Sequence, residues 1–136
     1  MLTKEGVKWA DNFIPLHKSG PAKETLSRFV ATTYNLEGGK VKGEKISHKE
    51  IFNEEVNKSL DLAKFTMPQV KEGSVFEFSY TVVSEFIYGL QPWEFQSEIP
   101  TLVSFYTVVI PEYFKYNRRI SGYESIGQES SNSVEM

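Results

Sequence analysis

Residues Val75 to Glu85, VFEFSYTVVSE, alternate in strict period two. Phe76, Phe78, Tyr80 and Val82 fall on one side, and Glu77, Ser79 and Thr81 on the other. An extended strand sends successive side chains to opposite faces, whereas a helix would scatter this pattern around its circumference. One apolar and one polar face describe a strand half buried in a sheet, and such a strand needs partners. The residues before it agree. Met67-Pro68 closes the preceding segment, because proline has no N–H to give to a ladder, and Lys71-Glu72-Gly73 is turn chemistry.

The rest of the chain supplies the partners. Val7 to Leu16 predicts a first strand, with Val7 and Trp9 on one side and Pro15 ending it. His17 to Lys23 (HKSGPAK) reads as a loop. Thr25 to Leu36 is rich in Thr, Val, Phe and Tyr and predicts a strand, closed by a hairpin turn at Gly38-Gly39. Val41 to Ile46 returns, and Lys40, Lys42 and Lys45 mark it as an exposed or edge strand. Ser47 to Lys58 is the one helical candidate. Ser47 and Glu50 have the spacing of a capping box, while Ile51, Phe52 and Val56 give a narrow apolar face. Leu60 to Met67 resumes strand character. Past a loop at Gly89 to Pro92, the segments Trp93–Ser97, Leu102–Ile110 and Phe114–Ile120 read as further strands. About eight short strands with at most one short helix predict an all-β, antiparallel β-sandwich of immunoglobulin-like size. A β-barrel enclosing a ligand cavity is the competing architecture. The sandwich is assigned to residues 1–123, and residues 124–136 to a polar tail or truncated connector.

Charge and cysteine content exclude several chemistries. Fifteen basic against 18 acidic residues leave a net charge of −3 without a basic stripe, which argues against nucleic acid as a partner. With no cysteine, thiolate zinc sites, disulfides and a cysteine nucleophile are all ruled out. No apolar run approaches the ~20 residues that span a bilayer, and MLTKEGVKWADN lacks the apolar core of an export signal.

Each candidate site has a plainer alternative. His17 and His48 are the only histidines, and Asp11, Ser19 and Ser47 lie near them in sequence. There is no nucleophile-elbow pattern, so both histidines are expected to be solvated loop residues. Glu50, Glu54 and Glu55 read as a solvated acidic face, since adjacency alone does not hold two carboxylates across a substrate and no calcium-loop pattern is present. Asn57-Lys58-Ser59 is formally a glycosylation sequon. Trp9, Trp93, Tyr34, Tyr88 and Phe95 could form a stacking platform for sugars, with Trp93 the best placed, but large rings in a β protein more often fill the core or an interface. Arg118-Arg119 beside Tyr113 and Tyr116 is a small basic-aromatic patch suited to a partner surface. No catalytic residue, metal site or cofactor is predicted.

Across residues 1–124, the ordered segments LTKEGVKWA, ATTYNLEGGKV, IFNEEV, FTMPQVKEGSVFEFSYTVVSEF, LQPWEFQSEIP and YTVVIPEYFKY carry a family likeness. Together they resemble the domain of unknown function that precedes transglutaminase-like domains in envelope and secreted proteins of Bacteroidota-type bacteria. The resemblance implies a non-catalytic accessory β-sandwich that packs on a transglutaminase-like domain of the same polypeptide or presents its substrate, in a periplasmic or secreted setting. It also implies that the sandwich lacks its first strands, which would leave an exposed sheet edge open to homodimerisation. The transglutaminase-like family uses Cys, His and Asp, and this chain has no cysteine to supply that chemistry. The expected interacting groups are Trp93, Phe95 and Gln96, and Tyr113, Tyr116, Arg118 and Arg119. A carbohydrate- or peptidoglycan-binding module is the alternative.

Overall fold

The computed structural model describes residues 3–88, 90–123, 125–127 and 129–131. The chain divides into two compact units, Met1–Gln91 and Pro92–Met136. Seven strands lie in the first: β1 (Asp11–Ser19), β2 (Ala22–Lys23), β3 (Thr25–Glu37), β4 (Lys40–Lys45), β5 (Phe52–Asn57), β6 (Leu60–Thr66) and β7 (Val75–Val83). They form two antiparallel sheets, ordered β2-β1-β6-β5 and β4-β3-β7. The two sheets pack against each other as an all-β sandwich, and the barrel alternative does not apply.

The alternation of β7 places its residues as the pattern requires. Phe76, Phe78, Tyr80 and Val82 pair with Thr33, Ala31, Phe29 and Leu26 of β3 on the inward face. Leu26 and Phe29 are three residues apart, an odd spacing for one face of a strand. A register shift between Leu26 and Arg28 resolves this, because one bulged residue restores the inward direction. From the opposing sheet, Ile14 of β1 and Ala63 and Phe65 of β6 complete the core with Ala31, Ile46 and Met67. Phe65 bridges the layers. Its ring meets Phe29 at 4.7 Å and Phe78 at 5.2 Å, both edge-on, the arrangement favoured by ring quadrupoles.

Turns fall where the chain chemistry puts them. Gly38 and Gly39 both take positive φ (57° and 75°) between the paired Glu37 and Lys40, as a two-residue hairpin turn requires. Asn57 accepts a hydrogen bond from the Ser59 N–H (2.7 Å), so the sequon residues build the β5–β6 hairpin. The loop crossing from β6 to β7 is held to β3 by polar contacts. Ser74 Oγ donates to Asn35 Oδ1 (2.5 Å), and Asn35 Nδ2 donates to the carbonyl of Gln69 (2.9 Å), whose φ is 51°. Glu37 receives Lys42 and Lys71, and these hydrogen-bonded ammonium groups hold its carboxyl down at about 2. As expected of an edge strand, β4 is exposed along its whole length.

Several expectations need correction. A 3-10 helix (Lys4–Ala10) occupies the start of the predicted first strand, and the strand begins only at Asp11. Asn12 Nδ2 donates to the carbonyls of Trp9 (3.1 Å) and Ala10 (3.0 Å), closing off the helix end. Pro15 does not end β1. The backbone of His17 faces Glu24, and that of Lys18 faces Ser59 on the β6 side, so by alternation Pro15 has its missing N–H on the side away from β6. The HKSGPAK loop is a hairpin, with Ser19 opposite Ala22 and Lys18 opposite Lys23. The helix over Ser47–Lys58 shrinks to one 3-10 turn, His48–Glu50. Its capping box is present, with Ser47 Oγ accepting from the Lys49 N–H and Glu50 accepting from the Ser47 N–H, but the chain then enters β5 because β6 offers a full ladder. Among the described residues of the second unit, Trp93–Ser97, Leu102–Ile110 and Phe114–Ile120 are not strands. Of the predicted tail, residues 124, 128 and 132–136 lie outside the described residues, as does Gly89 of the predicted loop.

Candidate interaction site

Of the aromatic groups singled out from sequence, Trp93, Phe95, Tyr113 and Tyr116 lie in the second unit, whereas Trp9, Tyr34 and Tyr88 lie in the first. The Trp93 indole stacks on Tyr106 with centroids 5.4 Å apart and planes at 19°, and its Nε1–H donates to Ser104 Oγ (3.1 Å). Ser104 and Tyr106, two residues apart, thus both meet the same indole. The pair is not sunk in a core: Trp93 keeps 48% and Tyr106 44% of their surface exposed. Phe95 and Gln96 beside them are exposed as well. Stacked, half-exposed rings with the indole N–H already satisfied form a flat apolar platform, suited to an apolar protein surface or to the C–H face of a sugar.

A second aromatic set follows a turn in which the Phe114 N–H donates to the Pro111 carbonyl (3.0 Å). Tyr113 lies 4.7 Å from Phe114, and Phe114 lies 6.1 Å from Tyr116. Tyr113 is 80% exposed and Tyr116 half-buried. Arg118 pairs with Glu129 through an exposed guanidinium–carboxylate contact, and Arg119 is exposed. The sequence points to Trp93, Tyr113, Tyr116 and Arg118 but not to the residues they contact, Tyr106, Ser104, Phe114 and Glu129. The Ser104/Tyr106 spacing was the available signal.

The polar cluster of most chemical interest lies in the first unit. Glu24 is 9% exposed, at the crossing from β2 to β3. Its Oε2 accepts the His17 backbone N–H (2.8 Å) and contacts His17 Nδ1 (2.9 Å), while Oε1 accepts from Ser84 Oγ (2.8 Å). Burial alone would raise this carboxyl. Hydrogen bonds from His17 and Ser84 outweigh it and leave Glu24 below the ordinary value. The serine here binds the carboxylate and not the imidazole, so the arrangement is not a Ser–His–carboxylate relay. It clips β1 to the end of β7 across the two sheets. Asp11, which sequence placed near His17, accepts instead from Thr66 (2.6 Å), and the exposed His48 lies edge-on to Phe29.

The acidic run separates. Adjacent strand residues face oppositely, so Glu54 pairs with Lys64 (2.5 Å) and Glu55 with Lys18 (3.4 Å). Among the described residues no group of three or more His, Asp or Glu is placed to hold a metal ion. Also among them, no helix is long and apolar enough to cross a membrane. A shallow depression of about 200 Å³ lies over Val30, Thr32, Glu77, Phe78 and Ser79, smaller than ordinary ligand pockets of ~300–1,000 Å³. No family model matches the chain, and neither does any curated protein or solved structure.

Proposed function

We propose that this chain is a non-catalytic accessory module, normally N-terminal to a transglutaminase-like domain, which packs on that domain or presents its substrate in a periplasmic or secreted setting. The observation supporting this reading is the exposed Trp93–Tyr106 stack, accompanied by Tyr113 and Arg119. Aromatic and arginine side chains dominate the energetics of protein interfaces: rigid rings bury large areas at small entropic cost, and the planar guanidinium stacks and donates several hydrogen bonds at once. The test is calorimetric titration of the chain with the transglutaminase-like domain from its own reading frame, expressed separately. Binding that Trp93→Ala or Arg119→Ala weakens at least ~10-fold is expected. Absence of binding by a folded chain, or of any such domain in the frame, refutes the reading.

One feature favours glycan binding as a second reading. The Nε1–Ser104 bond fixes the indole plane while leaving half of the ring open, as a sugar platform needs. Peptidoglycan fragments and oligosaccharides titrated against Trp93 fluorescence in a Trp9→Phe background discriminate the two. Quenching that Tyr106→Ala abolishes supports the platform, and no response across the panel removes it.

A further inference from the structure

We propose that β7 is a dimerisation edge: a second copy of this chain adds its own β7 antiparallel across a twofold axis through Ser79, fusing two three-stranded sheets into one. Among the described residues β7 has one strand neighbour, β3, so its other side carries a row of ladder groups without a strand partner. The edge at the opposite end of the same sheet is guarded. There β4 carries Lys40, Lys42 and Lys45 and is exposed throughout, the usual means of repelling an incoming strand. No Lys, Arg or Pro lies anywhere in β7, and Val75, Phe78, Tyr80 and Val83 are exposed on it. Such an edge is long, apolar and open to pairing.

The sequence of β7 also suits pairing with itself. An antiparallel partner centred on Ser79 sets Phe78 opposite Tyr80, Glu77 opposite Thr81, Phe76 opposite Val82 and Val75 opposite Val83. Aromatic faces aromatic, β-branched faces β-branched, and the small serine meets its twin at the axis, where a large side chain would be crowded. Each cross-strand pair then occurs twice, as an isologous interface demands. The one charge, Glu77, faces Thr81. The two Glu77 side chains lie four residues apart along the ladder, about 13 Å, beyond the screening length at physiological salt. This inference uses β7 alone and none of Trp93 to Arg119, so it stands or falls separately from the accessory-module reading.

The test combines sedimentation equilibrium of the whole chain with two kinds of variant. Ser79 is exposed on the outer face opposite Val30, so substitution there should leave the circular dichroism spectrum unchanged. Ser79→Lys brings two ammonium groups together at the axis and should raise the dimer dissociation constant at least ~10-fold. Because the chain has no cysteine, Ser79→Cys introduces the only thiol. Its Cα should lie ~4.5–5.5 Å from its mate, within disulfide range, so mild oxidation should give a covalent dimer. Thr81→Cys, with thiols about 13 Å apart, should not cross-link. A wild-type chain that stays monomeric overturns the proposal. So does a dimer indifferent to Ser79→Lys, which would mean another segment such as Leu102–Ile110 forms the interface. Equal cross-linking at positions 79 and 81 also overturns it.

Discussion

Replacing Phe65 with alanine should cost the first unit a large share of its stability. Phe65 is 3% exposed, and its ring is the contact through which β6 meets both Phe29 and Phe78 of the opposing sheet. Truncating a buried Phe costs about 3–5 kcal/mol, from lost transfer energy plus the cavity left behind. The two edge-on ring pairs, each worth about 0.5–1.5 kcal/mol, place this site in the upper part of that range. A domain of this size carries only about 5–15 kcal/mol in total. With an m value of about 1.5 kcal/mol/M, the urea midpoint followed by far-UV circular dichroism should fall by about 3 M. Phe52→Ala is the matched control. Phe52 is 66% exposed on the outer face of the same sheet, opposite Lys64, and its loss should cost under about 1 kcal/mol. Equal losses at the two positions would refute the assignment of inner and outer faces, and with it the sandwich packing.

Two other perturbations follow from buried polar groups. Thr33 is fully buried on the inward face of β3, and its Oγ1 finds no hydrogen-bond partner among the described residues, so Thr33→Val should raise stability by about 1 kcal/mol in the same urea assay. A fall in stability would mean that the hydroxyl is satisfied in solution. Glu24 has its folded-state pKa below the ordinary 4.5, so its stabilisation is present above that pH and is lost as pH falls toward the depressed folded value. Glu24→Gln should therefore cost about 1–3 kcal/mol at neutral pH and shrink the loss of stability below pH 4.5. An unchanged acid profile in the variant would show that other carboxylates carry it.

What could be read from sequence was what local chemistry determines. Period-two alternation over Val75–Val83, the Gly38-Gly39 turn and the lysine-marked β4 needed only neighbouring residues to be recognised. The helix over Ser47–Lys58 failed at the limit of that reasoning. Its capping box is real, yet one capped turn is weaker than the ladder that β6 offers to Phe52–Asn57. The segments after Pro92 have strand composition, but pairing is a property of two segments and composition reports on one. The Glu24 cluster was hidden for the same reason. His17 lies seven residues before Glu24 and Ser84 sixty after it, and no spacing rule connects them.

The interleaving of the two sheets has a consequence for how the chain reaches this structure. β1 waits for β6, with Asp11 and Thr66 55 residues apart, and β3 waits for β7, with Ser27 and Thr81 54 apart. Each long pairing closes a loop that contains strands of the other sheet. Loop-closure entropy must therefore be overcome before either central pairing forms, and folding should fall in the slow millisecond-to-second range typical of non-local β topologies. During synthesis, β3 emerges with only the β4 hairpin beside it, and its ladder edge toward β7 stays without a strand partner until Val83 has left the ribosome.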